Sequence, residues 1–161
     1  MTDSEANARK YAFLLLNYRS RSEKELRERL EKKGFSENNI SSTLRHLKEA
    51  GYLDDHALAL DLRRQAFDNK LLGHNSAKRF LLNRGVPDEI IDETLEYNEE
   101  TEANKIQKLI EKKLRTTGNY ADKKKERRLW DFLVRKGYSF STIRNAFQNF
   151  IRIEEEEEEN E

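Results

Sequence analysis

The chain has 161 residues, with 31 Lys and Arg against 31 Asp and Glu, no cysteine and a single proline. Charged side chains make up 39% and the aliphatic and aromatic set only 35%, which favours amphipathic helices with solvated outer faces, and no window approaches the ~18 apolar residues of a membrane span. The lack of cysteine excludes disulfides, thiolate catalysis and zinc fingers, and the lack of a basic segment leading into an apolar stretch predicts a soluble, cytoplasmic protein.

Residues 1–8 are polar and are expected to fray as a flexible terminus. From about Arg9 a helix carries Tyr11, Phe13, Leu14, Leu15, Leu16 and Tyr18, an apolar load that predicts burial on more than one side. Arg19-Ser20-Arg21 breaks it. Ser22 and Glu25 then form a capping box, in which Ser22 accepts from the Glu25 amide and Glu25 reaches back to the Ser22 amide. That helix runs to Lys33. Gly34 closes it in the left-handed conformation, Phe35 enters the core, and Ser36 caps a third helix that ends near Ala50.

Gly51-Tyr52-Leu53 separates this unit from a long helix capped by Asp54 or Asp55 and carrying Leu58, Ala59, Leu62, Ala66 and Phe67. Asn75 or Ser76 is the expected cap of the next helix, which reaches Arg84, and Pro87 is expected at the first position of the one after it. A helix from about Glu100 to Arg115 turns Ile106, Leu109, Ile110 and Leu114 inward, so that Lys105, Lys108, Lys112 and Arg115 are expected together on the opposite side. After a loop over 116–120, a helix from Asp122 to Lys136 buries Leu129, Phe132 and Leu133. Lys123, Lys124, Arg127, Arg128 and Arg135 point outward around Asp131. Ser139 or Ser141 caps the last helix, which turns Ile143, Phe147, Phe150 and Ile151 inward before six consecutive glutamates, Glu154 to Glu159.

One pattern recurs three times along this path. Lys33-Gly34-Phe35-Ser36 returns as Arg84-Gly85-Val86-Pro87 and as Lys136-Gly137-Tyr138-Ser139, with glycines 51 and then 52 residues apart. Eight and four residues before each glycine stand Leu26 and Leu30, Ala77 and Leu81, Leu129 and Leu133. Six and ten residues after it stand Ile40 and Leu44, Ile91 and Leu95, Ile143 and Phe147. The expected architecture is all-α, in tandem three-helix repeats over 9–50, 51–98 and 99–153, each stabilised by stacking on its neighbour, with a disordered acidic tail over 154–161.

The neutral total conceals an uneven charge. Net charge is +3 over residues 1–50, −5 over 51–100, +8 over 101–150, where thirteen bases face five acids, and −6 over 151–161. The candidate binding residues are therefore Lys105, Lys108, Lys112, Arg115, Lys123, Lys124, Arg127, Arg128 and Arg135, a basic surface that would hold phosphates by releasing counterions. The bland alternative is a solvated helix face. Catalytic chemistry is not suggested: no phosphate-cradling glycine loop, zinc-binding His pair or nucleophile elbow is present, and no cofactor or metal is expected. His46, His56 and His74 are too scattered for a ligand set, and Asp54-Asp55 is better explained as a helix cap than as a carboxylate pair for a metal. A helix-turn-helix reader would want Arg, Asn or Gln poised at base edges, which no helix advertises. The glutamate run is either a solubilising tail or a phosphate mimic competing for the basic faces.

Gly51-Tyr52-Leu53-Asp54-Asp55, followed by Leu58-Ala59, Arg63, Gly73, Leu81 and Arg84-Gly85-Val86, resembles the signature of the RecX family, small bacterial regulators of the RecA recombinase. Ser22, Glu25-Leu26, Leu30 and Lys33-Gly34-Phe35 are similar to that family's first repeat, and the resemblance extends from about residue 9 to 150. His56-Ala57-Leu58, His74 where a proline is common, and the glutamate tail depart from the family pattern. The resemblance implies an elongated, curved, monomeric array without enzymatic activity. It would bind the RecA filament along its helical groove and inhibit recombinase, ATPase and co-protease functions in DNA repair, recombination and the SOS response, by impeding filament growth or promoting disassembly. Single- or double-stranded DNA is a further implied contact. Gly34, Gly51, Tyr52, Leu53, Asp54, Asp55, Arg63, Gly85 and Gly137 are expected to serve structure rather than contact. The alternative function is a general nucleic-acid-binding module acting through the third repeat, and a weaker one is a helical scaffold for another protein.

Overall fold

A computed structural model describes residues 3–117 and 123–158, and every regular element among them is helical. The chain forms two compact units, one of residues 1–64 and 79–94, the other of 65–78 and 95–161.

In the first unit, α1 (Glu5–Tyr18) starts at Ser4, whose side chain accepts from the Asn7 amide at 3.3 Å. Within the segment expected to fray, the Asp3 carboxylate accepts from the Ser36 amide at 3.2 Å and from Asn39 Nδ2 at 2.6 Å. These hydrogen bonds, led by that from Asn39, hold the Asp3 carboxyl below its ordinary value. Two small residues, Ala8 and Ala12, are the fully buried positions of α1, which lets it lie close against α2 (Glu23–Lys33) and α3 (Glu37–Glu49). Tyr11, Phe13, Leu15 and Leu16 are partly covered, whereas Leu14 is 60% and Tyr18 83% exposed.

The start of α2 realises half of the capping box. Ser22 Oγ accepts from the Glu25 amide at 3.1 Å, but the Glu25 carboxylate turns to Arg19 and Arg21. Charge-assisted bonds to guanidinium are stronger than a bond to one more amide. At the other end Gly34 is left-handed, its amide bonds Glu31 O at 2.9 Å, and the Phe35 amide bonds Leu30 O at 3.3 Å. Leu26, Leu30, Phe35, Ile40, Leu44, Leu47 and Leu53 fill the core of this unit with the two alanines. Ser36 stands at the start of α3 without a side-chain cap bond. Then α4 (Asp55–Arg64) buries Leu58, Ala59 and Leu62 and packs on α6 (Asp88–Thr94). Pro87 lies one residue before α6, its carbonyl accepting from the Ile91 amide at 3.0 Å.

The second unit begins with a change of helical register. An unbroken helix through Phe67 is expected, yet Gln65–Asn69 is a π turn, closed by the Lys70 amide on Gln65 O at 3.0 Å. Such widened turns mark places where a helix must re-aim its side chains. Here Ala66 stays buried while the Phe67 ring meets the Lys105 ammonium at 3.8 Å. The next helix, α5 (His74–Asn83), is capped by neither Asn75 nor Ser76, because the His74 amide donates to Glu102 Oε2 at 3.0 Å. Ile106, Leu109 and Ile110 of α7 (Glu99–Thr117) join Leu129 and Leu133 of α8 (Lys123–Arg135), Tyr138, and Ile143 of α9 (Phe140–Glu158) in one core. Ser139 is the cap of α9, accepting from the Thr142 amide at 3.1 Å. Phe147 is partly covered, and the side chains of Phe150 and Ile151 lie outside the described residues.

Two sequence expectations at the edges of this unit change. The loop expected from Thr116 starts later, since α7 includes Thr116 and Thr117, and 118–120 lie outside the described residues. Where a disordered tail is expected, α9 continues to Glu158, consistent with the good helix propensity of glutamate on an already packed helix. Residues 159–161 lie outside the described set.

Candidate nucleic-acid interface

The basic surface of the second unit is built on α7 and α8. Apolar residues at helical spacing fix which side faces inward, and the cations between them follow. Lys108, Lys112 and Arg115 on α7 are exposed, as are Lys123, Lys124, Arg127, Arg128 and Arg135 on α8, with exposed Asp131 among them. That leaves eight of the nine candidate cations on the surface.

Lys105 is the exception and a correction. It is 6% exposed, ion-paired with Glu102, and its Nζ donates to Leu72 O at 3.0 Å. Helical periodicity alone places it with Lys108, but Phe67 and the 70–73 segment cover that part of α7 and supply partners for a buried ammonium. Beside it, burial first and the Glu102 charge second push the Tyr138 hydroxyl far above its ordinary pKa.

Around Lys112 the structure also gathers three cations that periodicity does not flag. Lys70, Lys112, Lys113 and Lys136 surround a cavity of about 330 Å³, completed by Asn69, Leu71, Leu109, Thr116 and Phe132. Lys113 Nζ lies 4.7 Å and Lys136 Nζ 5.7 Å from the centre of the Phe132 ring, and Lys136 Nζ donates to Lys70 O at 2.7 Å. Burial, then the charges of Lys70 and Lys112, hold the Lys136 ammonium below its usual pKa. Sequence position offers one signal for Lys136: it is the base of the third glycine joint.

The remaining motif residues stand at helix ends, in turns and on α4. Asp54 Oδ1 accepts from the His56 and Ala57 amides at 2.9 and 3.0 Å and so caps α4, whereas Asp55 Oδ1 accepts from the Glu23 amide at 3.0 Å. Burial raises the Asp55 pKa despite that bond. Leu53 is buried, Tyr52 is 61% exposed with its ring edge-on to Phe13 at 5.1 Å, and Arg63 lies on the exposed side of α4. Gly34, Gly51, Gly85 and Gly137 all have positive φ. A Cβ on Gly85 would overlap Ser22 Oγ, and one on Gly137 would overlap the Ser76 backbone and side chain. No group of three or more His, Asp or Glu among the described residues is placed to hold a metal ion. Nor is any described helix long and apolar enough to cross a membrane.

Comparison with known proteins matches this arrangement at several levels. The pattern of the RecX first three-helix domain fits residues 8–47, and that of the RecX third three-helix domain fits residues 100–147. The regulatory protein RecX of Chlorobaculum tepidum is 35% identical over 141 residues, covering 88% of this chain and 86% of that one. That of Pelodictyon phaeoclathratiforme is 32% identical over 153 residues, covering 94% of each. Among solved structures, RecX from Lactobacillus salivarius superposes with a TM-score of 0.78 at 23% identity, covering 92% of this chain and 97% of that one. With three-helix domains, a matching crystal fold and homology over nearly the full length of these relatives, the chain belongs to the RecX family.

Proposed function

We propose that this protein is a non-enzymatic regulator that binds the RecA recombinase filament and lowers its recombinase, ATPase and co-protease activities. It would act as a monomer in the bacterial cytoplasm during DNA repair, recombination and the SOS response. The observation that carries this reading is the match over 86–94% of the length of relatives named regulatory protein RecX. Eight exposed cations on α7 and α8 support it physically, since a recombinase filament presents DNA phosphates that such a surface attracts. Co-sedimentation with filaments of the cognate recombinase on single-stranded DNA tests it. Pelleting that needs the recombinase supports the proposal, and a protein that stays in the supernatant at every ratio refutes it.

The same exposed cations favour a second reading, a general nucleic-acid-binding module. Replacing Lys108, Lys112, Lys124 and Arg127 together by Glu should then abolish DNA retention in the absence of recombinase and flatten its dependence on salt. Retention left intact would reject that reading.

A further inference from the structure

A lone exposed apolar side chain is ordinary on a protein surface, but Phe140, the first residue of α9, does not stand alone. It is 63% exposed, and its ring lies nearly parallel to that of Trp130 on α8, at an interplanar angle of 10° with centroids 6.3 Å apart. Phe147, two turns further along α9, tilts against the same indole at 5.8 Å. Trp130 and Phe147 are both partly covered by the core of this unit. The Phe140 ring is thus backed by a fixed aromatic partner while much of it stays open to solvent, so a flat ligand that meets it orders little on binding.

Charge around the rings narrows the class of ligand. Side chains three or four positions apart are neighbours on a helix surface, which sets exposed Arg127 beside Trp130 and exposed Arg144 beside Phe140. Gln148, also exposed, continues the row one turn beyond Arg144. Glu126 and Asp131 are the exposed carboxylates on this part of α8, against the exposed bases Lys123, Lys124, Arg127 and Arg128. Arginine pairs with phosphate, and its guanidinium plane stacks on aromatic rings. An aromatic face bordered by arginines from two helices suits a ligand that alternates flat apolar rings with anionic groups, which is the chemistry of an unpaired nucleic-acid strand. A duplex offers its phosphates but keeps its base faces stacked on one another.

We propose that Phe140, backed by Trp130 and flanked by Arg127 and Arg144, is a stacking platform for a base of single-stranded nucleic acid. The platform rests on the nucleic-acid-binding reading above and adds to it a contact that depends on the base. Trp130 is the single tryptophan of the chain, so its fluorescence reports on the platform directly. The full chain is titrated at constant salt with oligothymidylate, with an abasic deoxyribose-phosphate oligomer of equal length and with a duplex, while anisotropy of the labelled oligomers measures binding. Oligothymidylate should quench Trp130, and the abasic oligomer and the duplex should not. Phe140→Ala and Phe140→Leu should each weaken oligothymidylate binding roughly tenfold, the loss of one stacked base, and leave binding of the abasic oligomer unchanged. Phe140→Tyr keeps a ring and should bind as the parent does. Equal affinity for oligothymidylate and the abasic oligomer, with no quenching, would overturn the platform and spare the nucleic-acid reading, whereas binding of neither oligomer at low salt would overturn both. A Phe140→Ala protein that binds oligothymidylate as before but no longer pellets with recombinase filaments would overturn the platform in favour of a protein contact.

Discussion

The hydroxyl of Tyr138 donates to the carbonyl oxygen of Leu71 at 2.8 Å, across 67 positions of sequence. It belongs to a set that grips four successive residues. Lys136 Nζ holds Lys70 O at 2.7 Å, Lys105 Nζ holds Leu72 O at 3.0 Å, and the Gly73 amide donates to Lys136 O at 2.8 Å. The grip holds Leu71 at φ 47°, a left-handed conformation that a leucine adopts only under such constraint. Tyr138→Phe should therefore cost about 1–2 kcal/mol by leaving the Leu71 carbonyl without this donor. Urea denaturation measures the loss, and a variant as stable as the parent would mean that the grip does not need the hydroxyl.

Lys105 and Lys108 lie one helical turn apart and should respond in opposite ways. Lys105→Ala strands the Glu102 carboxylate, whose side chain is 4% exposed, and should cost on the order of 3 kcal/mol. Lys108→Ala, on the exposed side of α7, should change stability by no more than about 0.5 kcal/mol. Thermal melts of the two variants make the comparison, and equal melting temperatures would refute a structural role for Lys105.

Glu25 couples pH to stability. Burial alone would raise its pKa, but the hydrogen bond from Arg19 and the charges of Arg19, Arg21 and Arg84 outweigh it, and the folded-state pKa is lowered. A lowered carboxyl stabilises the fold above its unfolded pKa of about 4.3 and loses that contribution as pH falls through the folded value. Glu25→Gln should destabilise at pH 7 by about 2 kcal/mol, less than a fully buried pair would lose. It should also remove part of the fall in stability below about pH 4. Denaturation midpoints from pH 7 down to 3 supply the test, and parallel curves for parent and variant would exclude the coupling.

Asp54 and Asp55 are adjacent and chemically alike, yet their substitutions should diverge. Asp54→Ala removes the cap of α4 at a cost of about 1 kcal/mol. Asp55→Asn keeps an oxygen for the Glu23 amide while removing a charge that burial disfavours, so it should be neutral or slightly stabilising at pH 7. A loss from Asp55→Asn as large as that from Asp54→Ala, seen by chemical denaturation, would show that the Asp55 charge itself is needed.

The glycine joints carry a graded prediction. Gly34→Ala incurs the left-handed penalty of about 1 kcal/mol and meets nothing within 4 Å. Gly85→Ala and Gly137→Ala add overlap with Ser22 and Ser76, and both should lose more stability than Gly34→Ala in the same denaturation assay. A Gly85→Ala protein no less stable than Gly34→Ala would remove the close approach from the explanation.

These joints also show how much of the molecule was legible beforehand. Leu26, Leu30, Ile40, Leu44, Leu81, Ile91, Leu129, Leu133 and Ile143 could be placed in the core from their distance to a glycine, because a helix end and a 3.6-residue period are local properties. What each joint's base does could not be placed that way. Lys33 lies over the Tyr11 ring at 5.4 Å, Arg84 donates to Ser20 O at 2.9 Å beside Glu25, and Lys136 enters the lysine cavity. One motif position has three surroundings, each set by residues distant in sequence. The Glu102 cap of α5 and the burial of Lys105 escaped for the same reason: their causes lie some thirty residues away, in segments that no periodicity connects.

The regulatory reading meets its most direct test in the single-stranded-DNA-dependent ATP hydrolysis of the cognate RecA recombinase, followed as this protein is titrated in. Hydrolysis should fall at substoichiometric amounts, and the four-site Glu variant of α7 and α8 should inhibit more weakly. A rate unchanged from trace amounts to excess over recombinase would contradict it.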